Sequence, residues 1–341
     1  MERRSLLVLI AIAAAALVVA AILVTTRDEP SGAAATSTTP TAETTATPPD
    51  QSTVTSSTDA DSTTSSTEPA NPALTADACA PYASITTAGS VASPALVETS
   101  GIAASRTQPG ILWAHNDSRD GARVYAIGPD GSDLGAFDIA GAFAFDWEDM
   151  AAGPGTDPAT SNLYFGDIGD NFSIRGGRIT VYRVPEPDPA TLAGPIEGAV
   201  ALEFIYPDGT YNAEALFVAD DSIYIVTKDR EEARVYRGDA TPADSSVEAL
   251  ELVTVLALGD EVSGAAMSWD GATIAFRGYN SVWMWHRDPG ATIAETLATE
   301  PCDAPSPDEV QGEAIAFLAD NSFSTVSEGR NPDLFVVPSE S

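Results

Sequence analysis

Cations are scarce in this chain. Of 341 residues one is a lysine (Lys228) and two are histidines (His115, His286), and 16 Lys and Arg face 50 Asp and Glu, a formal net charge of −34. That balance argues against a nucleic-acid partner, because phosphate contacts need clustered Lys and Arg. Much of the acid excess is what solubility asks for. Cysteine is as rare: Cys79 and Cys302 are the total, with no C-x-x-C, which removes cysteine-rich zinc sites and thioredoxin-like redox chemistry. The chain also lacks a G-x-S-x-G elbow, H-E-x-x-H, a Walker loop and G-x-G-x-x-G. A serine triad would have to use His115, and no nearby serine is nominated.

A long apolar run is present once. MERR precedes 20 uncharged residues from Ser5 to Val24, and about 20 apolar residues span a bilayer core. Basic residues ahead of it keep the N-terminus cytoplasmic and put the rest outside. An uncleaved single-pass anchor in the cell membrane is the expectation, with a cleaved signal peptide and a secreted product as the alternative. No Cys follows the run, so a lipoprotein anchor is not expected. From Thr25 to Asp77 the chain is built mainly from Thr, Ser, Ala and Pro, without an aromatic residue. Such a segment cannot repay the entropy of folding. It reads as a disordered stalk, reaching on the order of 100 Å when extended. Outside the cytosol, Cys79 and Cys302 are expected to form a disulfide, two separate thiols being the alternative.

Residues 78–341 carry an internal repeat. Segments opening at Ser100, Glu148, Glu214, Ser263 and Glu313 are spaced by 48, 66, 49 and 50 residues, and each begins a short apolar strand. A second strand follows each (111, 163, 223, 273 and 323), then a third (123, 179, 234, 281 and 334). Outer fourth strands are predicted at GAFDIAGA (135), AVALEFIYPDG (199), EALELVTVLAL (248) and IAETLATEP (293). Short β-branched and aromatic runs separated by D-G and P-D-G turns make antiparallel meanders. Four strands in about 50 residues are a propeller blade. The expected fold is all-β, a single five-bladed β-propeller, with six blades as the alternative. The fifth unit stops after its third strand, so ASITTAGSV (83–91) is predicted to complete it and close the ring. That places Cys79 near Cys302.

The stretch DWEDMAAGPGTDPATSNLYFGDIGDN (146–171) gathers six carboxylates with no Lys or Arg, beside Trp147, Tyr164 and Phe165. Propeller topology gives such acids a place to meet. First strands line the channel and second strands run back beside them, so starts of the former and ends of the latter share a face. The first-strand column reads Ser100, Glu148, Glu214, Ser263, Glu313. The second-strand column reads Asn116, Asp167, Lys228, Gly278, Glu328, with His115, Asp117, Asp170, Asn171, Asp229, Arg277 and Asn280 adjacent. Converging like charges raise carboxylate pKa values unless a cation neutralises them. Calcium, with 6 to 8 oxygen ligands in flexible geometry, is the expected cation. Glu148, Glu214 and Glu313 are the first candidate ligands, with Asp167 and Asn116 behind them. His115, Lys228 and Arg277 are the candidate catalytic groups, suited to acid or base work or anion clamping. The same groups equally suit a buried ion-pair network, and any single acid here suits a solvated turn.

HNDS (115–118), DWEDMA (146–151), YFGDIGDN (164–171), VYRVPEP (181–187), YPDGTYNAEAL (206–216) and QGEAIAF (311–317) together resemble a group of exported actinobacterial β-propeller proteins of unassigned role. More remotely, the channel-facing acids are similar to those of calcium-dependent propellers of the gluconolactonase, strictosidine-synthase and phytase-like kinds. Phytase-type phosphate-binding signatures are not recognisable. The expectation is a membrane-tethered, extracytoplasmic, monomeric propeller binding a small-molecule or cell-envelope ligand, with a divalent cation, at the acidic face. A calcium-dependent hydrolase of an ester, lactone or phosphoester is the alternative, with His115 or a raised-pKa Glu as base. A purely structural surface protein is the third reading.

Overall fold

The computed structural model describes residues 77–117, 120–155, 160–242 and 246–340. The anchor and stalk expected over 1–77 lie outside them, Asp77 excepted. Among the described residues no helix is long and apolar enough to cross a membrane.

Among the described residues twenty-one strands make five sheets. After β1 (Thr86–Ser90), blade 1 is β2 (Thr99–Ala104), β3 (Leu112–Asn116), β4 (Arg123–Ile127) and β5 (Asp133–Asp138). Blade 2 is β6 (Trp147–Pro154), β7 (Ser161–Asp167), β8 (Arg178–Pro185) and β9 (Val200–Ile205). Blade 3 is β10 (Ala213–Ala219), β11 (Ser222–Thr227), β12 (Ala233–Asp239) and β14 (Glu251–Leu256). Its short β13 (Glu248–Ala249) crosses over to pair in parallel with β9. Blade 4 is β15 (Val262–Met267), β16 (Thr273–Gly278), β17 (Val282–His286) and β18 (Cys302–Asp303). Blade 5 is β19 (Gly312–Phe317), β20 (Phe323–Ser327) and β21 (Asp333–Val337), completed by β1.

Alternation along each strand binds the blades together. On β10, Leu216 and Val218 face blade 2, where Tyr164, Val181 and Phe204 meet them. Ala215 and Phe217 face blade 4 and pack with Phe276 and Trp285. Three further clusters fill the gaps between blades 1 and 2 (Trp113, Phe165), 4 and 5 (Met284, Phe317) and 5 and 1 (Leu334, Tyr125). Five clusters for five gaps leave no open side. Each fully buried large side chain here is worth roughly 1.5–3 kcal/mol.

Closure follows the predicted route. β1 runs antiparallel to β21, pairing Thr86 with Val336 and Ser90 with Asp333. Cys79 and Cys302 are disulfide-bonded, their Cα atoms 6.0 Å apart across 223 residues of sequence. Closing so long a loop is worth about 5 kcal/mol on the chain-entropy account.

One predicted strand is a helix. The segment at 293 folds as α1 (Ile293–Leu297), and the outer strand of blade 4 is the two-residue β18. A capping box explains it: Thr292 Oγ1 accepts from the Glu295 N–H (3.1 Å), and the Glu295 carboxylate accepts from the Thr292 N–H (2.9 Å). Ile293 and Leu297 turn inward onto the cluster that holds Trp285.

Candidate functional site

Every blade carries the same irregularity at the start of its innermost strand. Thr99 pairs with Asn116 but Gly101 with His115, so Ser100 is an extra residue. The register slips in the same way at Glu214 (between Ala213 and Ala215), Ser263 and Glu313, and in blade 2 across Glu148 and Asp149. A bulge bends the strand and re-aims the side chain it carries. The five bulges fall on the first-strand column read from sequence, and in three blades the bulge carries glutamate.

One residue beyond the last paired position of the second strands stand Asp117, Ile168, Lys228, Tyr279 and Glu328. Three of these are locked alike by backbone hydrogen bonds: Asp117 N–H to Glu98 O (2.8 Å), Lys228 N–H to Asn212 O (2.9 Å) and Glu328 N–H to Gln311 O (3.3 Å). The partner of Lys228 and Glu328 in blade 1 is therefore Asp117. Asn116 is one residue away, and alternation sends its side chain elsewhere.

Lys228 puts a cation among these acids. Its Nζ lies 2.6 Å from Glu214 Oε2 and 5.0 Å from the Tyr279 ring centroid. Asn212 Nδ2 donates to Glu214 Oε1 (3.1 Å), and Gln311 Nε2 donates to Glu313 Oε1 (2.6 Å). Burial would lower the Lys228 pKa, but Glu214 outweighs it and the ammonium is held above its usual range. Glu148 is pushed well above the ordinary carboxylate value by burial, then by Glu214, Asp117 and Asp146. Burial raises Glu214 against the opposing pull of Lys228. Burial also takes Glu313 to about 8, with Glu214 and Glu328 adding to it and the Gln311 hydrogen bond opposing. Asp146 and Glu328 are raised by burial and by Asp117 among their neighbours.

Asp117, Asp146 and Glu148 come together: each offers a carboxylate oxygen, all within 4.8 Å of one another. Gly169 makes room for them. A Cβ there would stand 2.1 Å from Glu148 Oε1 and 2.6 Å from Asp146 Oδ2. Two ligands at calcium–oxygen distances of about 2.4 Å on opposite sides of one ion are about 4.8 Å apart, so this donor set fits a hard divalent cation.

The other predicted residues are placed differently. Asn116 is spent on structure, its Oδ1 accepting from the Val97 and Glu98 N–H groups (2.9 and 3.0 Å) and its Nδ2 donating to Ala95 O and Asp120 Oδ2 (2.9 Å each). Asp167 accepts from the Asp146 and Phe145 N–H groups (3.1 and 3.3 Å) and pairs with Arg175. His115 is fully buried, edge-on to Trp147 at 5.6 Å, and its Nδ1–H donates to Asn116 O (2.8 Å). Burial depresses its pKa to about 4, so it is neutral. Arg277, also fully buried, pairs with Glu309 and donates to Ser306 Oγ (2.5 Å). Gly312 lies flat against that guanidinium, where a Cβ would come within 1.9 Å. Neither His115 nor Arg277 reaches solvent.

Sequence reading missed Asp149. This fully buried carboxylate sits beside the bulge of β6, and its Oδ2 accepts from Leu216 N–H on β10 (2.8 Å) and Ala265 N–H on β15 (3.1 Å). Its Oδ1 accepts from the Met150 N–H (2.8 Å). One side chain thus ties three innermost strands across the axis of the ring. Burial pushes its pKa well up, against those three donors.

The fold and this face define the class: a five-bladed β-propeller with an acidic hub. No protein-family model matches the sequence, and no curated protein matches it. Among solved structures the chain is similar to a glucose dehydrogenase (9% identity, TM-score 0.45, covering 75% of this chain and 99% of that one). It is also similar to the soluble aldose sugar dehydrogenase of Escherichia coli in its apo form (8%, 0.42, 75% and 99%) and to a streptogramin B lyase (11%, 0.39, 75% and 97%). Likeness at this level carries no statement about activity.

Proposed function

We propose that the hub is a ligand-binding site built on a divalent cation held by Asp117, Asp146 and Glu148. The observation that carries this is the convergence of three carboxylates from two blades, one oxygen of each lying within 4.8 Å of the others, with Glu148 buried among like charges. Calcium is the proposed ion, because it takes carboxylate oxygens as ligands and accepts irregular coordination geometry. The expected trio of Glu148, Glu214 and Glu313 is divided by Lys228, which neutralises Glu214 from within. The cation therefore belongs on the Asp146 side. Once bound it offers positions for oxygen atoms of a small-molecule or cell-envelope ligand. The proposed setting is extracytoplasmic, on a membrane-anchored stalk. The Cys79–Cys302 bond supports that setting, since disulfides persist outside the reducing cytosol.

A second reading, hydrolysis of an ester, lactone or phosphoester, is favoured by Glu313. With its pKa at about 8 it holds a proton at neutral pH and is suited to general acid work. The ion would supply Lewis-acid polarisation.

Thermal unfolding of the full chain in calcium and in chelator tests the binding site. A ligand at 100 times its Kd stabilises the folded state by about 2.7 kcal/mol, so the Tm rises in calcium, and Asp146→Asn removes the rise. No difference between calcium and chelator would remove the cation. Turnover of chromogenic ester or phosphoester substrates that is lost in Glu313→Gln would establish the second reading.

A further inference from the structure

The five most exposed large apolar side chains among the described residues all lie on the hub face. Phe172 is 84% exposed, Ile174 68%, Phe143 66% and Phe145 49%, and Val310 is fully exposed. Phe143 and Phe145 precede β6, Phe172 and Ile174 lie between β7 and β8, and Val310 precedes β19. All three connections open on the side where innermost strands begin. The remaining exposed apolar residues (Ile85, Leu134, Val200, Leu252 and Val255) are on or beside outer strands and are less exposed.

The blade 2 loops do not expose these residues for want of structure. Asp167 accepts from Phe145 N–H and pairs with Arg175, whose guanidinium lies 4.9 Å from the Phe145 centroid. Asp170 accepts from Ile174 N–H (2.8 Å) and Arg175 N–H (3.1 Å). Asp170 N–H donates to Asn212 Oδ1 (2.6 Å), and Asn212 also holds Glu214. The two loops are thus one braced unit tied to the hub. Four large apolar side chains left in water on two neighbouring braced loops are a candidate interaction surface.

We propose that Phe143, Phe145, Phe172 and Ile174 form a docking surface for a polypeptide segment that carries basic residues among apolar ones. Charge complementarity selects that occupant. The apolar surface borders Asp117, Asp146, Glu148, Glu214, Glu313 and Glu328, of which Glu313 keeps its proton at neutral pH, and the cations among them, Lys228 and Arg175, are already paired with Glu214 and Asp167, on a chain of net charge −34. A bound divalent cation leaves the hub formally negative, and an anionic membrane surface would be repelled. The inference rests on the reading of this face as a binding face, not on the metal.

Selection from a displayed library of random 12-residue peptides on the immobilised full chain tests it. Peptides rich in Lys or Arg and in apolar residues are expected to enrich. A synthetic peptide from the enriched set should bind at least tenfold more weakly to a Phe172→Ser/Ile174→Ser variant whose Tm and calcium affinity are unchanged. Adding calcium should weaken, not abolish, the binding. Enrichment of acidic or uncharged peptides, no enrichment, or equal binding to the variant would overturn the proposal. So would adhesion to phosphatidylglycerol vesicles that the variant loses, which would assign the surface to membrane. Calcium binding without peptide binding removes this inference alone; peptide binding without calcium binding removes only the cation.

Discussion

Lys228 Nζ stands 2.6 Å from Glu214 Oε2, inside a group of carboxylates contributed by four blades. The chain's single lysine is thus a built-in counter-ion for buried acid. Lys228→Met leaves Glu214 beside Glu148 and should cost about 2 kcal/mol at pH 8, less than a fully buried pair because the lysine is partly exposed. The missing ammonium raises the folded pKa of Glu214 further above its unfolded value. The loss should therefore shrink as pH falls and vanish once Glu214 is protonated in the folded parent as well as in the variant. Urea unfolding of variant and parent at pH 4.5 and 8 checks the sign.

Glu313 gives the protein itself a pH dependence. Its carboxyl has a folded pKa of about 8 against an ordinary 4.5, so the folded state keeps a proton that the unfolded chain releases. That contribution is complete below 4.5 and is lost between 4.5 and 8, at up to about 1.4 kcal/mol per pH unit. Glu313→Gln should flatten the stability profile across this window and be more stable than the parent at pH 8, by denaturant midpoints.

Asp149 should matter more than any exposed acid. Asp149→Ala strands the N–H groups of Met150, Leu216 and Ala265 without an acceptor, at about 1–3 kcal/mol each. A loss of at least about 3 kcal/mol is expected, with faster amide exchange at Leu216 and Ala265. The exposed Asp138→Ala should cost less than about 1 kcal/mol.

Arg277 and Glu309 should behave as a buried pair remote from ligand. Arg277→Met abandons a buried carboxylate and should cost about 3–5 kcal/mol, whereas Arg277→Met/Glu309→Leu should recover most of it. Calcium should raise the Tm of the double variant as much as that of the parent. Loss of that response would restore Arg277 to the site.

The propeller was readable because its cause is local and periodic: strands of alternating burial, turn residues between them and a repeat near 50 residues. Closure by 83–91 and the disulfide followed from counting strands and cysteines. The glutamate column was readable because each bulge falls at a fixed place in the repeat. The α1 helix escaped notice because T-x-x-E at 292–295 is a short-range signal inside a segment assigned by its position in the repeat. Asn116 was chosen over Asp117 because a one-residue offset decides which way a side chain points, and only the pairing register resolves it. His115 and Arg277 stood out as rare cations, but rarity does not separate a group packed in the core from one facing solvent. Asp149 could not be singled out, since two of its three partners are backbone N–H groups on strands 67 and 116 residues away.

Calorimetric titration of calcium into the full chain at pH 7, in buffers of different ionisation enthalpy, tests the hub most directly. Binding to carboxylates that hold protons must release them. The expected result is one site with measurable proton release, absent in Glu148→Gln and retained in Glu309→Gln. Absence of binding heat, or an unchanged titration in Glu148→Gln, would contradict a cation held by Asp117, Asp146 and Glu148.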